Sequence, residues 1–274
     1  MTDPFKIIDQ TVISFSGGRT SAYMLWRVLQ SNNGLPEDAI VVFANTGKED
    51  EETLKFVRNC EKHWNVPIHW VEFVPEKPYF KIVNYETASR NGEPFEELIK
   101  KYKKLPNPTQ RWCTGILKIR TINRFVKSLG WKHHETDNSD FVGIRYDEHR
   151  RAAKMPKEKI PLFTAKITKK DILEFWQKQE FDLNIQVVSG EAISGNCDLC
   201  YLKSLPKIQT LINEKPERAI WWAKMEALVP DMDGVKPGNG TKFRVDRPSY
   251  AQLMNYQKVQ TNLFEEDIPC FCGD

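Results

Sequence analysis

Apolar and polar positions follow two rhythms along the first two thirds of this chain. Residues 11–15 form a short apolar run ending in a Ser/Gly turn, and Ala22, Leu25, Trp26 and Leu29 follow at helical spacing, which predicts a buried strand feeding an amphipathic helix. The unit repeats. Residues 39–44 predict a second buried strand, Asn45-Thr46-Gly47 its turn, and Leu54, Val57 and Cys60 a helix that ends near Asn65-Val66-Pro67. Residues 68–73 predict a third strand, followed by a charged stretch punctuated by prolines, and residues 140–145 a fourth, after a helical run over 116–129. Strands alternating with helices need crossover connections, hence a parallel sheet covered on both faces. The expected fold is α/β, a parallel-sheet Rossmann-like core, in which ligands bind outside the carboxyl ends of the strands.

The last third reads differently. It lacks buried-strand patterns and shows helical spacing over 170–177, 199–212 and 219–228, with Thr168 and Asp171 placed as an N-terminal capping box and a loop over 234–240. The expected division is a nucleotide-binding α/β core over 1–165 and a helical C-terminal region over 166–274. Trp221, Trp222, Met225 and Leu228 read as a packing face rather than a base-stacking platform.

Composition narrows the class. Among 274 residues, 40 Lys and Arg stand against 37 Asp and Glu, and a hydrophobic share of 40% describes a folded globular chain rather than a disordered or collagen-like one. The longest clean apolar stretch, 39–44, is far short of the roughly 20 residues of a membrane helix, so no membrane partner is expected. The N-terminus has neither a basic nor an apolar leader segment, which points to the cytoplasm, where six cysteines read as thiols or metal ligands rather than disulfides.

Candidate chemistry begins where the first strand turns into the first helix. Ser14-Phe15-Ser16-Gly17-Gly18-Arg19-Thr20-Ser21 would face an anion with backbone N–H groups and a helix N-terminus, and the hydroxyls of Ser16, Thr20 and Ser21 can donate to phosphate oxygens. No Gly-Lys-Ser/Thr follows, so this is not a Walker A loop; a plain tight turn is the competing reading. Between the third and fourth strands the chain is basic, which suits nucleotide phosphates, a sulfate or a nucleic-acid backbone, although the lysines of 100–104 read as a solvated face. Arg145, Arg150 and Arg151, at the end of a strand, read as oxyanion ligands because a guanidinium fork binds two oxygens at once.

Ser16-Gly17-Gly18-Arg19-Thr20-Ser21 resembles the SGGxxS pyrophosphate loop of the adenine-nucleotide α-hydrolase superfamily, and within it the phosphoadenosine-phosphosulfate (PAPS) reductase family. Three further segments agree in family order: Asn45-Thr46-Gly47 with Glu52-Thr53, Gly143-Ile144-Arg145-Tyr146-Asp147-Glu148 with Arg150-Arg151, and Pro161-Leu162 with Thr168 and Asp171. The resemblance covers residues 12–205 and implies nucleotide binding by Ser14, Ser16, Gly17, Gly18, Arg19, Thr20, Ser21, Asn45, Thr46, Gly47, Gly143, Arg145 and Arg151. Two departures bear on the chemistry. Thr20 stands where many ATP-cleaving members carry a magnesium-holding Asp, which leaves a magnesium requirement open, and the tail Pro269-Cys270-Phe271-Cys272-Gly273-Asp274 keeps only a Cys-Gly of the reductases' terminal nucleophile motif.

Cys197-Asp198-Leu199-Cys200 is a C-x2-C, a spacing that lets two thiolates reach one metal. With Cys113, 84 residues upstream of Cys197, it resembles the iron–sulfur adenylyl-sulfate reductases, though Trp112 or Thr114 replaces one of their paired cysteines. A four-iron, four-sulfur cluster on Cys113, Cys197, Cys200 and Cys270 is expected, with a zinc site, a redox C-x2-C or unligated thiols as alternatives, and Cys60 reads as a small buried hydrophobe. Two functions follow. In the first, adenylyl sulfate or PAPS is reduced, with Cys272 as nucleophile, Arg150 favouring its thiolate, and a thioredoxin-like reductant as partner. In the second, ATP adenylates a nucleobase of tRNA or DNA for thiolation. A non-catalytic nucleotide sensor is a third reading of the same pocket.

Overall fold

In the computed structural model, which describes residues 3–131, 140–188, 191–236, 238 and 240–255, the strands run β1 (Thr11–Ser14), β2 (Ala39–Asn45), β3 (Ile68–Glu72), β4 (Lys81–Val83) and β5 (Asp140–Val142). They form one sheet in the order β4-β3-β2-β1-β5. β1 pairs in parallel with β2 and β5, β2 with β3, and β4 runs antiparallel on the edge. Successive side chains of a strand point to opposite faces, and the cores follow that period. Ile13, Val41, Phe43 and Trp70 enter one core, while Val12, Val42, Ala44 and Val71 enter another on the opposite face.

Helices α1 (Arg19–Asn32) and α2 (Glu51–Trp64) cover the first face, where Met24, Leu25, Phe56 and Val57 are buried. Next in the chain come α3 (Glu93–Tyr102), a π-helical turn over Thr114–Arg120, and α4 (Thr121–Ser128). α4 covers the second face through Ile122, Phe125 and Val126. Short helices α5 (His149–Ala152) and α6 (Pro161–Thr164) lead to α7 (Lys169–Trp176), whose Ile172 and Trp176 join the first core. The Thr168–Asp171 capping box is present. A two-residue ribbon, β6 (Val187–Val188) with β7 (Glu191–Ala192), precedes α8 (Leu205–Glu214), α9 (Arg218–Leu228) and α10 (Tyr250–Asn255). Among the described residues no helix is long and apolar enough to cross a membrane.

The α/β architecture expected from the sequence is present, and the details depart from it where local chemistry overrides period. β4 lies in the stretch read as charged and Pro-punctuated; only three residues long and with Lys81 and Ile82 exposed, it has no apolar signature. The fourth strand stops at Val142 because Gly143 leads into a turn in which Ile144 N donates to Val142 O. The helix expected from residue 199 begins at Leu205, since Cys197–Lys203 is a chain of turns closed by Cys200 N to Cys197 O and Lys203 N to Cys200 O. Within the run 116–129, the first part is π rather than α: Thr121 donates its hydroxyl to Ile116 O at 2.9 Å. Wide turns of this kind are frequent at functional sites.

A further core lies beyond the sheet. Phe95, Leu98 and Ile99 of α3 and Ile116 and Leu117 of the π turn pack with Leu199, Tyr201 and Leu202 and with the apolar faces of α8, α9 and α10. Trp221, Trp222 and Met225 are buried there, as their spacing predicts. The segment between β3 and β5 therefore shares its core with the end of the chain.

Candidate functional site

β2 and β5 flank β1 on opposite sides, so the strand order reverses at β1, and the carboxyl ends of β1 and β5 form the switch point at which open α/β sheets bind ligands. The loop at 14–21 lies there. Gly17 has φ +81°, and a Cβ on it would fall 2.6 Å from Thr53 Cγ2 of α2, so both backbone and space demand glycine. Gly18 is the N-cap of α1 with φ −98°; it offers no capping side chain, and the first turn holds no acidic residue. α2 differs, since Asp50 accepts from Glu52 N and Glu51 and Glu52 follow. The positive end of α1 is thus left to an anion from elsewhere.

The loop's own hydroxyls brace it. Ser16 Oγ and Ser21 Oγ lie 2.9 Å apart, Ser16 N donates to Ser21 Oγ, and Ser21 Oγ donates to Gly18 O. Arg19 is tied sideways: its guanidinium makes two 2.7 Å bonds to the Asp182 carboxylate and one to Leu183 O. Its main chain accepts from Trp176 Nε1 at 3.1 Å.

The segment after β5 closes over the same place. A Cβ on Gly143 would lie 3.2 Å from Ser21 Cα, so the absence of a side chain lets this strand end approach α1. Arg145 Nη1 then donates to Thr20 Oγ1 at 3.1 Å. Glu148 holds the turn by accepting from Arg145 N and pairing with Arg151. Arg150 is exposed on α5. His149 packs against Tyr146 and Phe163.

Beyond β2, Asn45 is fully buried and saturated with contacts. Its Nδ2 donates to Glu72 Oε1 at 2.6 Å and Ser89 O at 2.8 Å, and its Oδ1 accepts from Gly47 N. Gly47, at φ +78°, packs so closely that a Cβ would meet Pro94 Cδ at 2.7 Å. Thr46 donates to Glu49 and lies 3.5 Å from Cys197 Sγ. The next three residues are charged, buried and paired to distant parts of the chain: Lys48 with Asp198 at 2.9 Å, Glu49 with Lys118 at 3.0 Å, and Asp50 with Arg218 at 3.3 Å. Backbone bonds from Asp50 N to Asn196 O and from Asp198 N to Lys48 O complete the seam.

Sequence reasoning passed over Lys48, Glu49, Asp50, Glu72, Asp182 and Asp198. The available signal was a carboxylate at Glu72, closing a strand whose other residues, His69 apart, are apolar.

The half-buried thiols Cys113, Cys197 and Cys200 all flank the core that joins α3 to the C-terminal helices. Cys113 Sγ lies 3.3 Å from Tyr201 Oη. Among the described residues no three Cys, His, Asp or Glu side chains stand close enough together to hold a metal ion. Cys270 and Cys272 lie outside the described residues. Cys60 is fully buried on α2, and burial pushes its thiol well above the usual range.

The phosphoadenosine phosphosulfate reductase domain family matches residues 10–181, which takes in the loop at 14–21, the turn after β2 and the Gly143–Arg151 segment. The chain is also 34% identical over 205 residues to an uncharacterized nin region protein, ORF290, of Escherichia phage lambda, covering 72% of this chain and 67% of that one. A second relative, uncharacterized protein MJ0066 of Methanocaldococcus jannaschii, is 34% identical over 150 residues, which are 54% of this chain and 26% of that protein.

Proposed function

This chain belongs to the phosphoadenosine phosphosulfate reductase family, and on that premise we propose that it reduces a sulfonucleotide, adenylyl sulfate or PAPS, bound at the carboxyl ends of β1, β2 and β5. The observation that carries this reading is the Arg145–Thr20 contact above the open N-terminus of α1. Where ATP-cleaving relatives are expected to hold magnesium through a carboxylate, this chain sets a hydroxyl bonded to a guanidinium. Arg145, which also pairs with Asp147 and Glu148, thereby brings a guanidinium to the loop where a carboxylate is expected, and a guanidinium suits a phosphate–sulfate anhydride.

In the proposed reaction the Cys272 thiolate attacks the sulfate sulfur. A sulfur–sulfur bond forms, the bond from sulfur to the bridging oxygen breaks, and the nucleotide, AMP from adenylyl sulfate or adenosine 3′,5′-bisphosphate from PAPS, leaves with the bond's electron pair. A dithiol reductant of the thioredoxin class then attacks Cys272 sulfur, releasing sulfite and taking the oxidation as its own disulfide. Exposed Arg150 supplies positive charge that favours the thiolate. We extend the proposal to a four-iron cluster on Cys113, Cys197, Cys200 and Cys270, supported by the C-x2-C spacing; the three described thiols flank one core but do not stand close enough to hold a metal as placed, so binding would have to draw them together, and no step above is routed through it. Iron and sulfide analysis after anaerobic purification tests that part, and stoichiometric zinc without iron overturns it.

The second reading, ATP-dependent adenylation of a nucleobase for thiolation, draws on the intact Ser16-Gly17-Gly18 loop. Anaerobic assays with adenylyl sulfate, PAPS and ATP offered separately, with a dithiol reductant, separate the two. Sulfite released from a sulfonucleotide supports the first; pyrophosphate released from ATP, with no sulfite from either sulfonucleotide, overturns it.

A further inference from the structure

Glu72 ends β3 at the same edge of the sheet as the nucleotide loops, and its side chain is wholly buried. A buried carboxylate is costly unless paired and fully hydrogen-bonded. Here both oxygens are used. Oε1 accepts from Asn45 Nδ2 at 2.6 Å and Ser89 N at 2.6 Å, and Oε2 accepts from Ser89 Oγ at 2.7 Å and pairs with Lys81 Nζ at 2.9 Å. The counter-ion comes from β4, whose register sets Lys81 opposite Glu72.

The groups Glu72 holds belong to two loops. Asn45 opens the Asn45-Thr46-Gly47 turn, and its Oδ1 accepts from Gly47 N. Ser89 lies in the stretch that leads into α3, where Gly92 N donates to Gly47 O at 2.8 Å. One carboxylate therefore fixes both walls of the crevice beyond β2. Both Nδ2 hydrogens of Asn45 are spent, on Glu72 and Ser89 O, so the amide has none left to donate to a base. Its work is to shape the backbone of the turn.

We propose that Glu72 is a positioning residue for nucleotide binding, with Lys81 as its counter-ion: it clamps the turn at 45–47 to the loop at 88–92 so that the turn's backbone is set for an adenine nucleotide. This rests on the nucleotide site proposed above. The clamp explains why an exposed three-residue edge strand persists, since β4 delivers the charge that makes a buried Glu72 tolerable.

Substitutions of Asn45 and of the counter-ion test it. Asn45→Asp sets a second carboxylate against Glu72 and should weaken binding of adenylyl sulfate or ATP by more than about tenfold. Lys81→Met, which leaves the buried Glu72 carboxylate without its counter-ion, should weaken binding several-fold, and Lys81→Arg should bring affinity back to within about threefold of wild type. Calorimetry is run where circular dichroism shows each protein folded. Should Asn45→Asp not fold, Ser89→Ala removes one ligand of Glu72 without adding charge and should weaken binding several-fold; unchanged affinity there overturns the clamp. If wild type binds and Lys81→Met binds as tightly, or Lys81→Arg is no better than Lys81→Met, the clamp is wrong and the nucleotide site stands. If wild type binds neither adenylyl sulfate nor ATP, the nucleotide site fails and takes the role of Glu72 with it.

Discussion

Cys197 Sγ lies 3.5 Å from Thr46 Oγ1, so the C-x2-C turn touches the segment after β2 directly. The thiol and the turn share an atom-to-atom boundary. That boundary is held by buried charge. Lys48 and Asp198 are both nearly enclosed, and Asp198 also accepts from Trp222 Nε1 and Leu199 N. Lys48→Met strands the carboxylate and is expected to cost about 3–5 kcal/mol in urea denaturation. Removing both charges, Lys48→Met with Asp198→Asn, should recover most of that. A single-variant loss below about 1 kcal/mol would mean that water reaches the pair.

Gly17 is the position where the loop at 14–21 has no freedom. Gly17→Ala forces a side chain into φ +81° and against Thr53 Cγ2, and about 2 kcal/mol or more of stability should be lost. Nucleotide affinity should fall with it, because the helix N-terminus moves. Wild-type melting and binding together would remove the loop from the site.

Arg145→Ala is expected to lower nucleotide affinity more than about tenfold, and Arg145→Lys to recover only part of it, since an ammonium lacks the fork that reaches Thr20 and an anion together. Calorimetry with adenylyl sulfate reads this. Full recovery by lysine would show that charge alone matters there.

Burial lowers the imidazole pKa of His69 on β3 below its ordinary value of 6.5, with Glu61 opposing. The folded chain then binds fewer protons than the unfolded one in the window below that value. Stability contributed by the neutral ring is present above the window and lost as pH falls through it. Comparing denaturation midpoints near about pH 7.5 and about pH 5.5, the wild type should lose more than His69→Leu. Parallel losses would put the acid sensitivity elsewhere.

Cys60 should resist alkylation at neutral pH in the native protein and react once denatured, because its thiol is enclosed and its pKa raised. Peptide mass spectrometry distinguishes it from Cys113, Cys197 and Cys200. Labelling of Cys60 at the same rate as these would contradict its burial on α2.

What could be read from the chain alone followed periodicity. β1, β2 and β3 carry mostly apolar residues on both faces, so the parallel sheet announced itself, and the Ser16–Ser21 loop was legible because glycines and hydroxyls sit at a strand-to-helix junction. β4 was not, because an exposed edge strand needs no apolar signature. The seam at 48–50 was invisible for another reason: Lys48, Glu49 and Asp50 look like a solvated charge run until Asp198, Lys118 and Arg218 are brought to them from elsewhere in the chain. Pairing across 69 to 168 residues leaves no local trace. Asn45 was legible as a site residue, yet its partner Glu72 lies on the neighbouring strand, and only the β2–β3 register brings them together.

The shared core of α3, the π turn and the C-terminal helices sets an order on biosynthesis. A ribosome delivers the loop at 14–21 and the turn at 45–47 early, but the counter-charges for Lys48 and Asp50 are encoded about 150 residues or more later. Until they emerge, the segment after β2 carries charges that it cannot bury. The nascent α/β sheet can gather its own strands while the wall of its crevice stays unset, so this site is finished last although its first residues are made first.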